Sequence, residues 1–176
     1  MNIGHEIKDV RVVRHPTIAG ALAAGLGRKF VVDTPASRGD RVLKALRLAR
    51  KAKERSELSE LLHEPLWKEY EGESTYEWTL ALVSLETDMC VSELYLKLFE
   101  RHYRPASLSE AMCYLPMLTA RQVEVDFVFH LGFMRCNEYG IEQRLITRKS
   151  GSVEPVPFHR KTTLKPYYHI VVAKDE

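Results

Sequence analysis

The chain has 176 residues, with 26 Lys and Arg against 24 Asp and Glu, for a formal net charge of +2. Apolar residues make up 45% and charged residues 28%, enough to bury a core, which excludes a disordered tail, collagen, coiled-coil arrays and disulfide-dense scaffolds. No apolar run approaches the roughly 20 residues of a membrane-spanning helix, and His5, Glu6, Asp9, Arg11 and Arg14 interrupt any secretory h-region. We therefore expect a cytoplasmic protein without membrane contact. Cys90, Cys113 and Cys136 lie among apolar neighbours with no C-x-x-C pair, so reduced, buried thiols are expected.

The near-neutral total hides a division. Residues 1–63 hold 13 Lys and Arg and 7 Asp and Glu, residues 64–113 hold 4 and 10, and residues 114–176 hold 9 and 7. A basic N-terminal region is thus joined to an acidic middle, which suggests an anion-facing end.

In chain order, Val10, Val12 and Val13 form a short β-like run, Thr17 caps a small Ala-rich helix through Leu26, and residues 29–33 read as another short strand. The loop from Asp33 to Asp40 is marked by Pro35 and Gly39. From Asp40 to about Leu62 the spacing predicts a helix with an apolar stripe at Val42, Ala45, Leu46 and Ala49. Arg41, Lys44, Arg47 and Lys51 fall opposite that stripe, and such a cationic face suits a phosphate backbone. Ser74 and Glu77 fit a capping box, which predicts a helix over 76–86. A second helix is expected from Asp88, burying Val91, Leu94 and Leu98 with Tyr95 and Phe99, until Arg104-Pro105 stops it.

Ser107 and Glu110 form another capping box, opening a helix of about two turns that Pro116 interrupts. Thr119 can cap a segment from Ala120 to about Arg135. Val123, Phe127, Leu131 and Met134 recur there at helical spacing, while Val123, Val125, Phe127 and Phe129 also alternate as in a strand; we expect the helix. The last forty residues are β-like, with a strand from Ile141 to Lys149, a turn at 150–152 and a closing strand from Tyr167 to Ala173.

The order of helix (91–103), capped helix, turn, capped helix and basic hairpin, running to residue 149, resembles a winged helix-turn-helix. The residues that carry it run from Ser107-Leu108-Ser109-Glu110-Ala111 through Thr119-Ala120-Arg121-Gln122-Val123 to Arg144-Leu145-Ile146-Thr147-Arg148-Lys149. The turn is longer than the common form, and its usual glycine is missing. The resemblance implies that Thr119, Arg121 and Gln122 read base edges in the major groove, while Arg144, Arg148 and Lys149 grip phosphates. It implies an α+β fold, mainly helical, with a winged-helix-like C-terminal half (residues 64–176) and a C-terminal β-hairpin. The expected function is that of a DNA-binding transcriptional regulator acting on double-stranded DNA as a homodimer. The alternative is a protein-binding adaptor or inhibitor that uses the acidic segment 64–113.

Other signals are weaker. Arg160, Lys161, Lys165, Tyr167, Tyr168 and His169 interleave bases with aromatics, a mixture that grips single strands or, more commonly, packs a strand. Gly20 and Gly25 have the glycine spacing of a P-loop but lack its Lys and Ser/Thr, so they read as a packing helix. His130 reads as a core histidine. No metal site, cofactor or enzymatic activity is expected.

Overall fold

The computed structural model describes residues 1–27, 30–32, 75–136, 141–159 and 161–175. The predicted helix over 40–62, with Arg41, Lys44, Arg47 and Lys51, lies outside these residues. In chain order the elements are β1 (Asn2–Val13), α1 (Ile18–Leu26), β2 (Val31–Val32), β3 (Thr75–Ser84) and β4 (Met89–Cys90). There follow α2 (Val91–Phe99), β5 (Tyr103–Pro105), α3 (Leu108–Ala120), β6 (Phe127–Cys136), β7 (Glu142–Arg148), β8 (Ser152–Pro157), β9 (Thr163–Leu164) and β10 (Tyr168–Lys174).

A mixed sheet in the order β1-β3-β10-β6-β7-β8-β2 organises the chain, with β5 also paired to β10, and β4 and β9 form a separate small ladder. The β10–β6 and β8–β2 pairs are parallel and the others antiparallel. Strands from both sides of residue 63 share this sheet. The expectation of a mainly helical fold with a winged-helix-like half and a C-terminal β-hairpin is therefore corrected, since the described residues are mostly β and the last strand, β10, pairs with β3 and β6 rather than with β7.

Two elements account for the difference. The segment predicted as helix 76–86 is β3, and the one predicted as a third helix over 120–135 is a helix end followed by β6. Leu80 to Val83 and Val128 to Leu131 are each four consecutive buried residues, because both sheet faces are covered. Such strands lose their two-residue period and can be taken for helix. The helix opened by Ser107 also runs through Pro116 to Ala120, longer than the two turns expected.

One face packs Leu80, Leu82, Val128 and Val171 against Ile18 and Leu22 of α1 and Met112 and Leu118 of α3. The other packs Ala81, Val83, Phe129 and Ile170 against Val91, Leu94 and Leu98 of α2. Local chemistry fixes the helix starts. The Thr17 side chain accepts from Gly20 N, and Ser107 and Glu110 form a complete capping box. Two glycines permit close approaches. A Cβ on Gly25 would lie 2.5 Å from Met112 Sδ, and one on Gly132 would lie 2.1 Å from the Ala106 carbonyl oxygen.

Candidate functional site

The C-terminus of α3 builds the site. Arg121 is its C-cap, Gln122 follows at φ 60°, Gln122 N donates to Thr119 O, and Val123 N donates to Leu118 O. This is a Schellman termination in which glutamine holds the left-handed position that glycine usually fills. The turn carries the chain into β6 and presents its side chains to the tip of the β7–β8 hairpin. Between them, with the end of α1, lies a cleft of about 550 Å³.

Leu26, Leu115, Leu118, Val125 and Val128 give the cleft an apolar lining, and Thr119, Gln122, Glu124, Arg148 and Lys149 supply its polar groups. Lys149 Nζ donates to Glu124 Oε1 at 2.8 Å, from the hairpin to the turn. That bond holds the Glu124 carboxyl below its ordinary pKa and Lys149 above its own. Arg148 pairs with Glu154 at 3.2 Å. Thr147, also at the cleft, hydrogen-bonds the buried His130 at 2.9 Å. Burial pushes the His130 imidazole down to about 3.

Four of the sequence-predicted residues, Thr119, Gln122, Arg148 and Lys149, thus line one cleft, although the helix expected to begin at Ala120 is not formed and Thr119 instead lies at the end of α3. Thr119 does not cap a helix; its hydroxyl donates to Leu115 O within the last turn of α3. Arg121 is exposed at the helix end, outside the cleft lining. Arg144 is 7% exposed, donates to Phe133 O and Glu142 Oε1, and lies over the Phe158 ring, so it braces β6 rather than facing a phosphate.

A second polar centre, not anticipated from sequence, lies at the start of α3. Glu110 is buried and accepts from Arg104 Nη1 and Nη2 at 2.9 and 2.7 Å, Tyr76 Oη at 3.1 Å and Ser107 N at 2.6 Å. Arg104 and these donors outweigh burial and hold the Glu110 carboxyl below its usual range. The signal in the sequence was the capping box itself, whose glutamate also anchors β5.

Among the described residues, no group of three or more His, Cys, Asp and Glu is placed to hold a metal ion. No described helix is long and apolar enough to cross a membrane. None of the three cysteines forms a disulfide, and none is fully buried as expected: Cys90 and Cys113 are half-buried and Cys136 is exposed. The fold and cleft define a mixed-sheet α/β sandwich with an open site at one end. No protein-family model, curated protein or solved structure matches the chain.

Proposed function

We propose that the protein binds nucleic acid through the groups gathered at the cleft, with double-stranded DNA, transcriptional regulation and a cytoplasmic setting as the starting reading. What supports it is the meeting of Gln122 with Lys149 from a distant hairpin, with Arg148 at the rim of the same cleft and its guanidinium turned to the other sheet face. A glutamine side chain can pair with an adenine edge, and the two cations can neutralise phosphates. Their acidic partners do not block this, because exposed ion pairs contribute only about 0–1 kcal/mol and a polyanion can displace them. The glutamine also persists at φ 60°, a conformation that costs a residue with a Cβ about 1 kcal/mol. Fluorescence anisotropy with labelled duplex DNA at two salt concentrations tests the reading. Binding at low salt that Lys149→Ala weakens and flattens in its salt dependence is expected; no duplex binding at low salt refutes the double-stranded DNA reading, and no binding of duplex or single strand refutes nucleic acid altogether.

A second reading, a protein-binding surface or homodimer contact, rests on α2. Tyr95 and Phe99 were expected in the core, yet Phe99 is 78% exposed and Tyr95 is partly open, beside Leu96 at 65%. Leu96 and Phe99 are three residues apart and share a face bordered by the acidic Glu93 and Glu100. Light scattering across a concentration series, on the native chain and on Leu96→Ser with Phe99→Ser, tests the dimer. A monomer in both excludes it.

A further inference from the structure

At the same end of the sheet as the cleft but on its opposite face, the one that carries Phe129 and Ile146, the register aligns three side chains. Tyr168 on β10 is paired with Phe127 on β6, and Phe127 with Arg148 on β7. Directly paired residues of adjacent strands point to the same face, and strands lie about 4.8 Å apart, so the row spans about 10 Å. Tyr167 completes it. Its ring centroid is 4.5 Å from Tyr168 and 5.6 Å from Phe127, and it is 54% exposed. The Arg148 guanidinium lies 5.1 Å from the Phe127 centroid. Beneath, the buried Phe129 meets Tyr168 edge-on at 5.6 Å, which fixes the platform from the core side.

We infer that this row is a stacking platform for the bases of single-stranded nucleic acid, with Arg148 and Lys165 beside it for the phosphates; the inference rests on the nucleic-acid reading above and names the form of the ligand. Burial alone does not account for three aromatic rings in mutual contact at an open sheet end, one of them more than half exposed. A duplex hides its base faces within its own stack, whereas a single strand offers a π-face at every nucleotide. Arg148 adds a planar cation suited to both base stacking and a phosphate. Its bond to Glu154 and that of Lys165 to Asp88 are exposed pairs open to exchange. The local acids offset these cations, so stacking rather than counterion release carries the affinity, and salt dependence is shallow.

Anisotropy titrations of the full chain with labelled 10-nucleotide single-stranded DNA, the same sequence as RNA, and the matching duplex test the platform. Tyr167 is exposed, so its replacement leaves the fold intact. Tyr167→Ala is expected to weaken single-strand binding about tenfold, the loss of one stacked base, while Tyr167→Phe retains it. The DNA and RNA arms show whether a 2′-hydroxyl is read. Duplex binding that Tyr167→Ala leaves unchanged overturns the platform and leaves the nucleic-acid reading standing. No binding to any of the three overturns both. If a proline-rich peptide binds instead and loses affinity in Tyr167→Ala, the row is a peptide site and the inference fails.

Discussion

His130 provides a direct test of how the core is built, because a single proton should weaken it. The imidazole is 2% exposed, its Nε2 is bonded to Thr147 Oγ1, and its pKa lies near 3. In the unfolded chain it should titrate at about 6.5. Below that value the unfolded state takes up a proton that the folded state refuses, so stability falls with pH. The slope is about 1.4 kcal/mol per pH unit, or about 2 kcal/mol lost between pH 7 and pH 5. Half-buried His169, whose pKa is also lowered by desolvation, adds a smaller contribution of the same sign. Glu6 and Glu110 stay out of this window. Their folded pKa values are depressed, so their contribution is lost only as pH falls below about 4.5. Urea unfolding at pH 7, 6 and 5 measures the slope. The variant pair His130→Leu with Thr147→Val removes both polar partners together and should abolish most of it. Equal slopes in the native chain and the double variant would refute the assignment, as would a native chain equally stable at pH 7 and pH 5.

Three further outcomes bear on the fold. Gly132→Ala puts a Cβ 2.1 Å from Ala106 O and 2.6 Å from its carbonyl carbon. Both belong to backbone, so the loss should be about 3 kcal/mol or folding should fail, as read from thermal melting. Gln122→Gly relieves the left-handed conformation at the end of α3 and should stabilise by about 1 kcal/mol in urea titration. Glu110→Gln leaves Arg104 with only the more distant Asp175 as a charged partner and should cost about 2 kcal/mol at pH 7, moderated by that pair and by the partial exposure of Arg104. That difference should shrink as the native Glu110 carboxyl is protonated in acid.

What the sequence revealed was mostly local. The Thr17 cap, the Ser107 and Glu110 box, the buried Val91, Leu94 and Leu98, and the strand before Gly151 all depend on neighbours within a few residues, whereas the strand after it, β8, and the pairing of the closing strand with β3 and β6 were not foreseen. What it hid was burial on two faces. His130 and Leu131 of β6 are both inaccessible because α1 and α3 cover one side of the sheet and α2 the other, and no short window encodes which distant helix will arrive. The capping-box pattern at Ser74 and Glu77 shows the converse. The motif is present, but Tyr76, Trp78 and Thr79 favour a strand, and tertiary pairing with β1 and β10 prevails.

The candidate site was legible in membership but not in polarity, and the polarity changes its chemistry. Placing Thr119, Arg121 and Gln122 at a helix N-terminus gave them free amides and a partial positive charge, both suited to phosphate. They stand instead at the C-terminus of α3, where unpaired carbonyls and a partial negative charge disfavour an anion. Arg121 at the C-cap offsets that dipole. Phosphate recognition then falls to the hairpin, to Arg148 and Lys149, while the helix end offers the neutral amide of Gln122. A site divided in this way should bind bases more firmly than backbone. Its affinity should respond more to loss of the ring at Tyr167 than to added salt, a contrast that Tyr167→Ala and Lys149→Ala measured side by side can reveal.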